Sequence, residues 1–117
     1  MARILSVSYD VSLLGTRQMI LQNQGHEVVS ALGFTEALKQ CQSSKKFDLF
    51  ILGHSIPHSD KEALISAFRA DCAAPVVALT NPSEKPVRGA DFDIEPDPET
   101  VVELVKKLTT DRTRAAD

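Results

Sequence analysis

The sequence lacks the features of three classes of protein. Its two cysteines, Cys41 and Cys72, form no CxxC motif and are too few for a disulfide scaffold. We therefore expect both cysteines to be reduced and to pack as small apolar side chains, in a protein from a reducing compartment. No apolar run approaches the ~20 residues that span a bilayer, and the chain does not begin with a secretory signal. The net charge is −3, and the lysines and arginines are scattered. We therefore expect a cytoplasmic protein that binds neither membranes nor nucleic acid.

The composition that is present suits one globular domain. The chain has 117 residues, of which 43% are hydrophobic, enough for a single core. We predict a domain over residues 1–109, followed by a polar tail over residues 110–117. The last helix of this domain has an apolar face at helical spacing, formed by Val101, Leu104, Val105 and Leu108.

Short apolar runs alternate with helical patterns along the chain. The runs predict strands at residues 4–8, 28–32, 49–52, 76–79 and 92–94. Ser12 predicts a helix over residues 13–24, Phe34 begins a second apolar stripe, and residues 59–62 read as a capping box that opens a third helix. Asp97 and Pro98 predict the start of the last helix. This alternation indicates a three-layer α/β/α sandwich of the flavodoxin-like type, a doubly wound parallel sheet in the order 2-1-3-4-5.

One connection is too short for a full helix. Between the fourth and fifth strands, Pro82 and Pro86 lie four positions apart and leave room for about one helical turn. The helix that would cover this crossover is therefore expected to be shortened or absent.

Five segments, in order and at nearly the expected spacing, resemble the receiver domain of two-component response regulators. They are residues 4–7, 47–52, 56–57, 76–80 and 89–91, and the resemblance extends from residue 3 to about residue 108. In such a domain the first strand ends in two carboxylates that hold magnesium. The third strand ends in the aspartate that accepts a phosphoryl group, a hydroxyl residue follows the fourth strand, and a lysine follows the fifth.

Most positions of that phosphorylation pocket differ in this chain. Thr80 keeps the hydroxyl that follows the fourth strand. Ser8 and Tyr9 occupy the positions of the acidic pair, and the nearest carboxylate, that of Asp10, comes one residue later. Gly53 replaces the phosphoacceptor aspartate, and Glu95 replaces the lysine. Glycine offers no nucleophile, and magnesium requires carboxylate or phosphate oxygens. We therefore expect no metal, no cofactor and no enzymatic activity. We also expect the Tyr9 ring to fill the pocket and its hydroxyl to bond to Thr80 or Glu95.

The resemblance implies a degenerate receiver, or pseudo-receiver, that works without phosphorylation as an interaction module in signalling. Its partner is expected to be another signalling protein of unknown identity, or a second copy of the chain. The expected binding faces are the last helix and residues 81–88.

Two alternatives remain open, and both use the edge of the sheet where the strands end. In the first, a small molecule or a metal binds in the strand-end pocket around Ser8, Tyr9, His54 and Thr80. The loop after the third strand offers a possible site at His54, Ser55 and His58, with His54, His58 and Asp60 as the candidate metal ligands. In the second, Ser8, Ser55 or His54 accepts a phosphoryl group in place of the aspartate.

Overall fold

The strands and helices alternate as the sequence predicts. A computed structural model of the chain describes residues 2–43 and 46–116, with side chains up to residue 109. The elements are β1 (Arg3–Ser8), α1 (Val11–Asn23), β2 (Glu27–Leu32), α2 (Phe34–Cys41), β3 (Leu49–Leu52), α3 (His58–Asp71), β4 (Val76–Leu79), β5 (Phe92–Ile94) and α4 (Pro98–Ala116). No helix among the described residues has the length and apolar character needed to cross a membrane.

The five strands form one parallel sheet in the order β2-β1-β3-β4-β5, which confirms the predicted topology. Because all strands run the same way, their carboxyl ends meet at one edge of the sheet. In the register, Val7 near the end of β1 lies beside Leu52 of β3, and Leu52 lies beside Ala78 of β4. The residues that follow these three strands are therefore neighbours in space.

Each face of the sheet has its own core. On the face covered by α2 and α3, Phe50 stacks on Phe68 with ring centroids 4.3 Å apart. On the face covered by α1 and α4, Leu21 and Val105 are buried against Ile51 and Val77. The apolar stripe predicted for the last helix is confirmed, since Val101 and Val105 are buried and Leu104 and Leu108 pack against them.

The crossover between β4 and β5 contains no helix in residues 80–91, all of which the structure describes. Val87 is buried from this segment into the core on the α3 side, and its amide donates a hydrogen bond to Asp93 Oδ2 at 2.6 Å. One apolar side chain and one side-chain acceptor thus anchor a loop where a helix would otherwise lie.

Two of the predicted helix starts are wrong. Helix α1 begins at Val11, because Asp10 and not Ser12 is the cap, its Oδ1 accepting from the amides of Ser12 and Leu13 at 2.9 and 3.1 Å. Helix α3 begins at His58 after Pro57, with no side-chain cap, so residues 59–62 form no capping box.

The last helix begins as predicted, with Asp97 Oδ2 accepting from the amide of Thr100 at 3.1 Å. Helix α4 extends to Ala116, past residue 109. The division into a domain at 1–109 and a tail at 110–117 stays a prediction.

Candidate functional site

The candidate site is the carboxyl edge of the sheet, where Ser8, Gly53 and Thr80 end or follow three neighbouring strands. Ser8 is fully buried at the end of β1, and Thr80 is 6% exposed after β4. Gly53 directly follows β3, and its amide donates to the carbonyl of Val7 at 2.9 Å. The topology therefore brings these three predicted pocket positions to one place.

The serine hydroxyls at this edge bond to each other. The Oγ atoms of Ser8 and Ser55 are 3.1 Å apart, and the amide of Tyr9 donates to Ser55 Oγ at 3.0 Å. The amide of Asp10 donates to Ser8 Oγ, also at 3.0 Å. Ser55, which the sequence places in the loop after β3, thus fastens that loop to the end of β1.

The predicted partner of Tyr9 is wrong. The Tyr9 hydroxyl donates to Asp60 Oδ2 at 2.8 Å, and not to Thr80 or Glu95, because the first turn of α3 carries Asp60 to the sheet edge. Burial and the neighbouring Asp60 carboxylate together raise the pKa of Tyr9 to about 12. Glu95 is exposed, and its backbone carbonyl accepts from the amide of Asp97.

A guanidinium group lies where a side chain at position 53 would point. A Cβ atom added to Gly53 would be 3.1 Å from Arg17 Nη2 and 3.1 Å from the carbonyl oxygen of Val7. Arg17 Nη1 donates to Ser6 Oγ at 3.2 Å and to the same Val7 carbonyl at 3.4 Å. Burial lowers the pKa of Arg17 to about 10.

A second cation reaches the edge from the opposite layer. Lys61 of α3 is 1% exposed, and its Nζ donates to the carbonyl oxygen of Leu79 at 2.8 Å. Burial lowers the pKa of Lys61, while the charges of Glu84 and Asp93 act to raise it. The neighbouring Thr80 Oγ1 is buried and has no hydrogen-bond partner within the described part of the chain.

Neither cation was predicted from the sequence, although the helical spacing of the buried residues contains the signal. Arg17 lies three residues after the buried Leu14 and four before the buried Leu21. Lys61 likewise lies three residues before Leu64 and seven before Phe68 on the buried side of α3. A charged residue at a buried position of an amphipathic helix is unusual enough to mark a site.

The two histidines of the loop are not brought to a common site. His54 lines a cavity of about 80 Å³ between α1 and the start of α4, and its Nδ1 is buried without a hydrogen-bond partner in the described residues. His58 is exposed, with Nε2 3.3 Å from the carbonyl oxygen of Pro86. Within residues 2–43 and 46–109, no group of three His, Cys, Asp or Glu side chains is placed to hold a metal ion.

Comparison with known proteins identifies the architecture. No protein-family model matches this chain, and no curated protein matches it. Among solved structures, the response regulator TrrA from Thermotoga maritima, described in complex with Mg²⁺ and BeF, is 28% identical over 92% of this chain and 99% of its own, with a TM-score of 0.80. The receiver domain of the hybrid histidine kinase CckA is also 28% identical, over 91% of this chain and 97% of its own, with a TM-score of 0.73.

A more distant structure gives the same fold. The receiver domain of the Francisella response regulator 1452 is 16% identical and covers 96% of this chain and 99% of its own, with a TM-score of 0.81. The chain therefore has the receiver fold of response regulators and resembles that family along nearly its whole length.

Proposed function

We propose that this chain is a pseudo-receiver, a signalling module that binds a protein partner without being phosphorylated. One observation carries the proposal. Gly53 stands where the resemblance places the phosphoacceptor aspartate, and the Arg17 guanidinium lies next to the space that its side chain would fill. A carboxylate nucleophile is required for an aspartyl phosphate, and glycine supplies none.

The residues at the edge also fit magnesium poorly. TrrA is described in complex with Mg²⁺, an ion that prefers carboxylate and phosphate oxygens in octahedral geometry. Here the two positions that the resemblance assigns to acidic residues carry a hydroxyl and a phenol, those of Ser8 and Tyr9. The nearby carboxylate of Asp10 caps α1, and Lys61 and Arg17 place two cations near this edge.

The serines offer a weak alternative to the missing aspartate. Ser8 and Ser55 bond to each other and to backbone amides, so neither hydroxyl is paired with a base that would activate it. Phosphorylation of Ser8, Ser55 or His54 would also introduce a dianion at an edge whose residues fit magnesium poorly.

The partner surface proposed for this module is α4 together with residues 81–88. The loop carries a run of exposed residues from Pro82 to Pro86 in place of a helix. A receiver's output face normally includes the helix between its fourth and fifth strands, and residues 81–88 form a loop at that place in this chain. The partner of this chain is therefore expected to bind a surface of different shape. A second copy of the chain is the simplest alternative partner.

The test is a phosphorylation assay on the whole chain. The protein is incubated with acetyl phosphate and magnesium, and its intact mass is measured beside a receiver that retains its aspartate as the positive control. We expect the control to gain one phosphoryl group and this chain to gain none. A stoichiometric gain would overturn the proposal, and the variants Ser8→Ala, Ser55→Ala and His54→Gln would then identify the acceptor.

A further inference from the structure

The cavity beside Arg17 is lined by a few polar side chains and a larger number of apolar ones. Ile20 of α1, Leu79 of β4 and Val101 of α4 form part of its apolar lining. Its polar groups include the side chains of Arg17 and His54. A space with this division suits a ligand that is polar at one end and apolar at the other.

The Arg17 guanidinium has no negative partner in the residues that the structure describes. Its hydrogen bonds go to a serine hydroxyl and a backbone carbonyl, both neutral, and no described carboxylate forms an ion pair with it. Burial is also the one cause of its lowered pKa, with no contribution from an acidic neighbour. A half-buried guanidinium without a counter-ion has lost part of its hydration, so an anion that reached it would be bound favourably.

The second polar group, His54, has an unused hydrogen-bonding atom. Its Nδ1 is buried and unpaired within the described residues, whereas buried polar atoms in folded proteins are nearly always paired. An imidazole nitrogen that carries its proton donates to an anionic oxygen. Arg17 and His54 line the same cavity, so the head group of a ligand bound there would lie close to both side chains.

We propose that this cavity binds a short-chain monocarboxylate. The guanidinium of Arg17 holds the carboxylate, the imidazole of His54 forms part of the wall beside it, and the hydrocarbon chain lies against Ile20, Leu79 and Val101. Arginine suits a carboxylate because its planar fork of donors matches the two oxygens. A cavity of 150 Å³ holds benzene, so the present volume of about 80 Å³ fits an acid of roughly two to four carbons. The proposal that this cavity binds a carboxylate does not depend on whether the chain is phosphorylated.

The binding test compares two probes of equal shape. Isobutyrate carries the charge, and isobutyramide is its neutral counterpart. Binding is measured by the rise in melting temperature and by NMR titration of the arginine and histidine side chains at constant ionic strength. We expect saturable binding of isobutyrate in the millimolar range, with shifts at Arg17 and His54, and no saturable binding of the amide. Sodium chloride in place of isobutyrate should give no saturable effect.

Matched variants separate the site from general surface charge. Arg17→Met should weaken isobutyrate binding by at least about tenfold, whereas Arg3→Met, which removes a surface arginine paired with Glu27, should leave it unchanged. If Arg17→Met does not fold, Val101→Phe provides the second test, because it fills the cavity from α4 and should abolish binding with Arg17 still in place. The proposal is overturned if the parent shows no saturable shift, if the amide or chloride binds equally well, or if the Arg17→Met or Val101→Phe variant binds like the parent.

Discussion

Two cations, the buried Lys61 and the half-buried Arg17, approach the carboxyl edge of the sheet from opposite layers, and their surroundings differ. Lys61 comes from α3, donates to the carbonyl of Leu79, and lies within the fields of Glu84 and Asp93. Arg17 comes from α1, donates to the carbonyl of Val7, and has no described acidic neighbour. The lysine is therefore partly compensated by charge within the protein, whereas the arginine borders a cavity and is not.

This difference shows how the edge of a receiver fold can lose its acidic pocket. The resemblance implies an acidic pocket that attracts a metal ion, but the groups found here are hydroxyls, a phenol and two cations, and the nearby carboxylates of Asp10 and Asp60 accept hydrogen bonds from the start of α1 and from the Tyr9 hydroxyl. Lys61 serves the structure by filling its position and holding a strand-end carbonyl. Arg17 combines a similar structural contact with an unsatisfied charge, and for that reason the proposed ligand site lies on its side of the sheet.

The largest expected effect comes from removing Lys61. Its side chain is 1% exposed, so Lys61→Ala should leave a cavity and lower the free energy of unfolding by ~2–4 kcal/mol. Lys61→Met keeps most of the volume and removes the buried charge, so it should stay within about 1 kcal/mol of the parent. Urea denaturation measures both variants. An unchanged midpoint for Lys61→Ala would show that the side chain faces solvent, and the comparison with Arg17 would then fail.

A smaller effect is expected from placing an acid beside Arg17. Gly53→Asp and Gly53→Asn have nearly the same shape and meet the same close contacts at 3.1 Å, so their difference isolates the charge. We expect the Asp variant to be more stable by ~1–2 kcal/mol at neutral pH, because hydrogen bonds to a charged group are the stronger ones.

The difference in stability between Gly53→Asp and Gly53→Asn should depend on pH, because it comes from the pairing of the new carboxylate with Arg17. An aspartate beside a guanidinium has a lowered folded-state pKa, so its stabilisation is present above about pH 4 and is lost as the pH falls through the folded-state pKa. Gly53→Asp should also weaken isobutyrate binding, because its carboxylate would occupy Arg17. Equal stability of the two variants from neutral to acidic pH would contradict the position assigned to Arg17.

The smallest expected effect concerns Tyr9, on the side of the sheet edge where the polar groups are paired. Tyr9 is the only tyrosine and the sequence has no tryptophan, so the near-ultraviolet absorbance of phenolate reports this residue alone. In pH-jump measurements on the folded protein we expect its pKa at about 12. Asp60→Asn should lower that pKa only in part, because burial, the largest single cause, remains.

The linkage of Tyr9 to stability has a definite sign. Its folded-state pKa is raised above the ordinary tyrosine value of 10.0, so its contribution to stability is complete below that pH and is lost as the pH rises towards 12. Tyr9→Phe should remove this alkaline dependence. A phenol that titrates near its ordinary value, with no response to Asp60→Asn, would contradict the hydrogen bond between Tyr9 and Asp60.

The sequence predicted the sheet well because its central strands are buried on both faces. The ranges of β3 and β4 coincide with the predicted apolar runs, because a short wholly apolar run between polar segments is typical of a strand buried on both faces. The helix starts were harder, because two residues near each other, such as Asp10 and Ser12, can both serve as caps.

The candidate site was predicted only in part. The strand ends placed Ser8, Gly53 and Thr80 together, since topology alone determines that edge. The partner of Tyr9 depends on how the first turn of α3 meets the edge, which no local pattern encodes. Arg17 and Lys61 were missed because a charge on a helix is ordinarily assigned to its exposed face.

The short crossover between β4 and β5 also affects the entropy of chain closure during folding. Between β4 and β5, Val77 pairs with Phe92, whereas between β1 and β3, Ile4 pairs with Leu49, which lies three times as far along the chain. Closing the shorter segment costs about 1 kcal/mol less in chain entropy, by the logarithmic dependence on loop length. The last strand of the sheet can therefore join by a local encounter, and its addition slows folding less than the pairing of the central strands does.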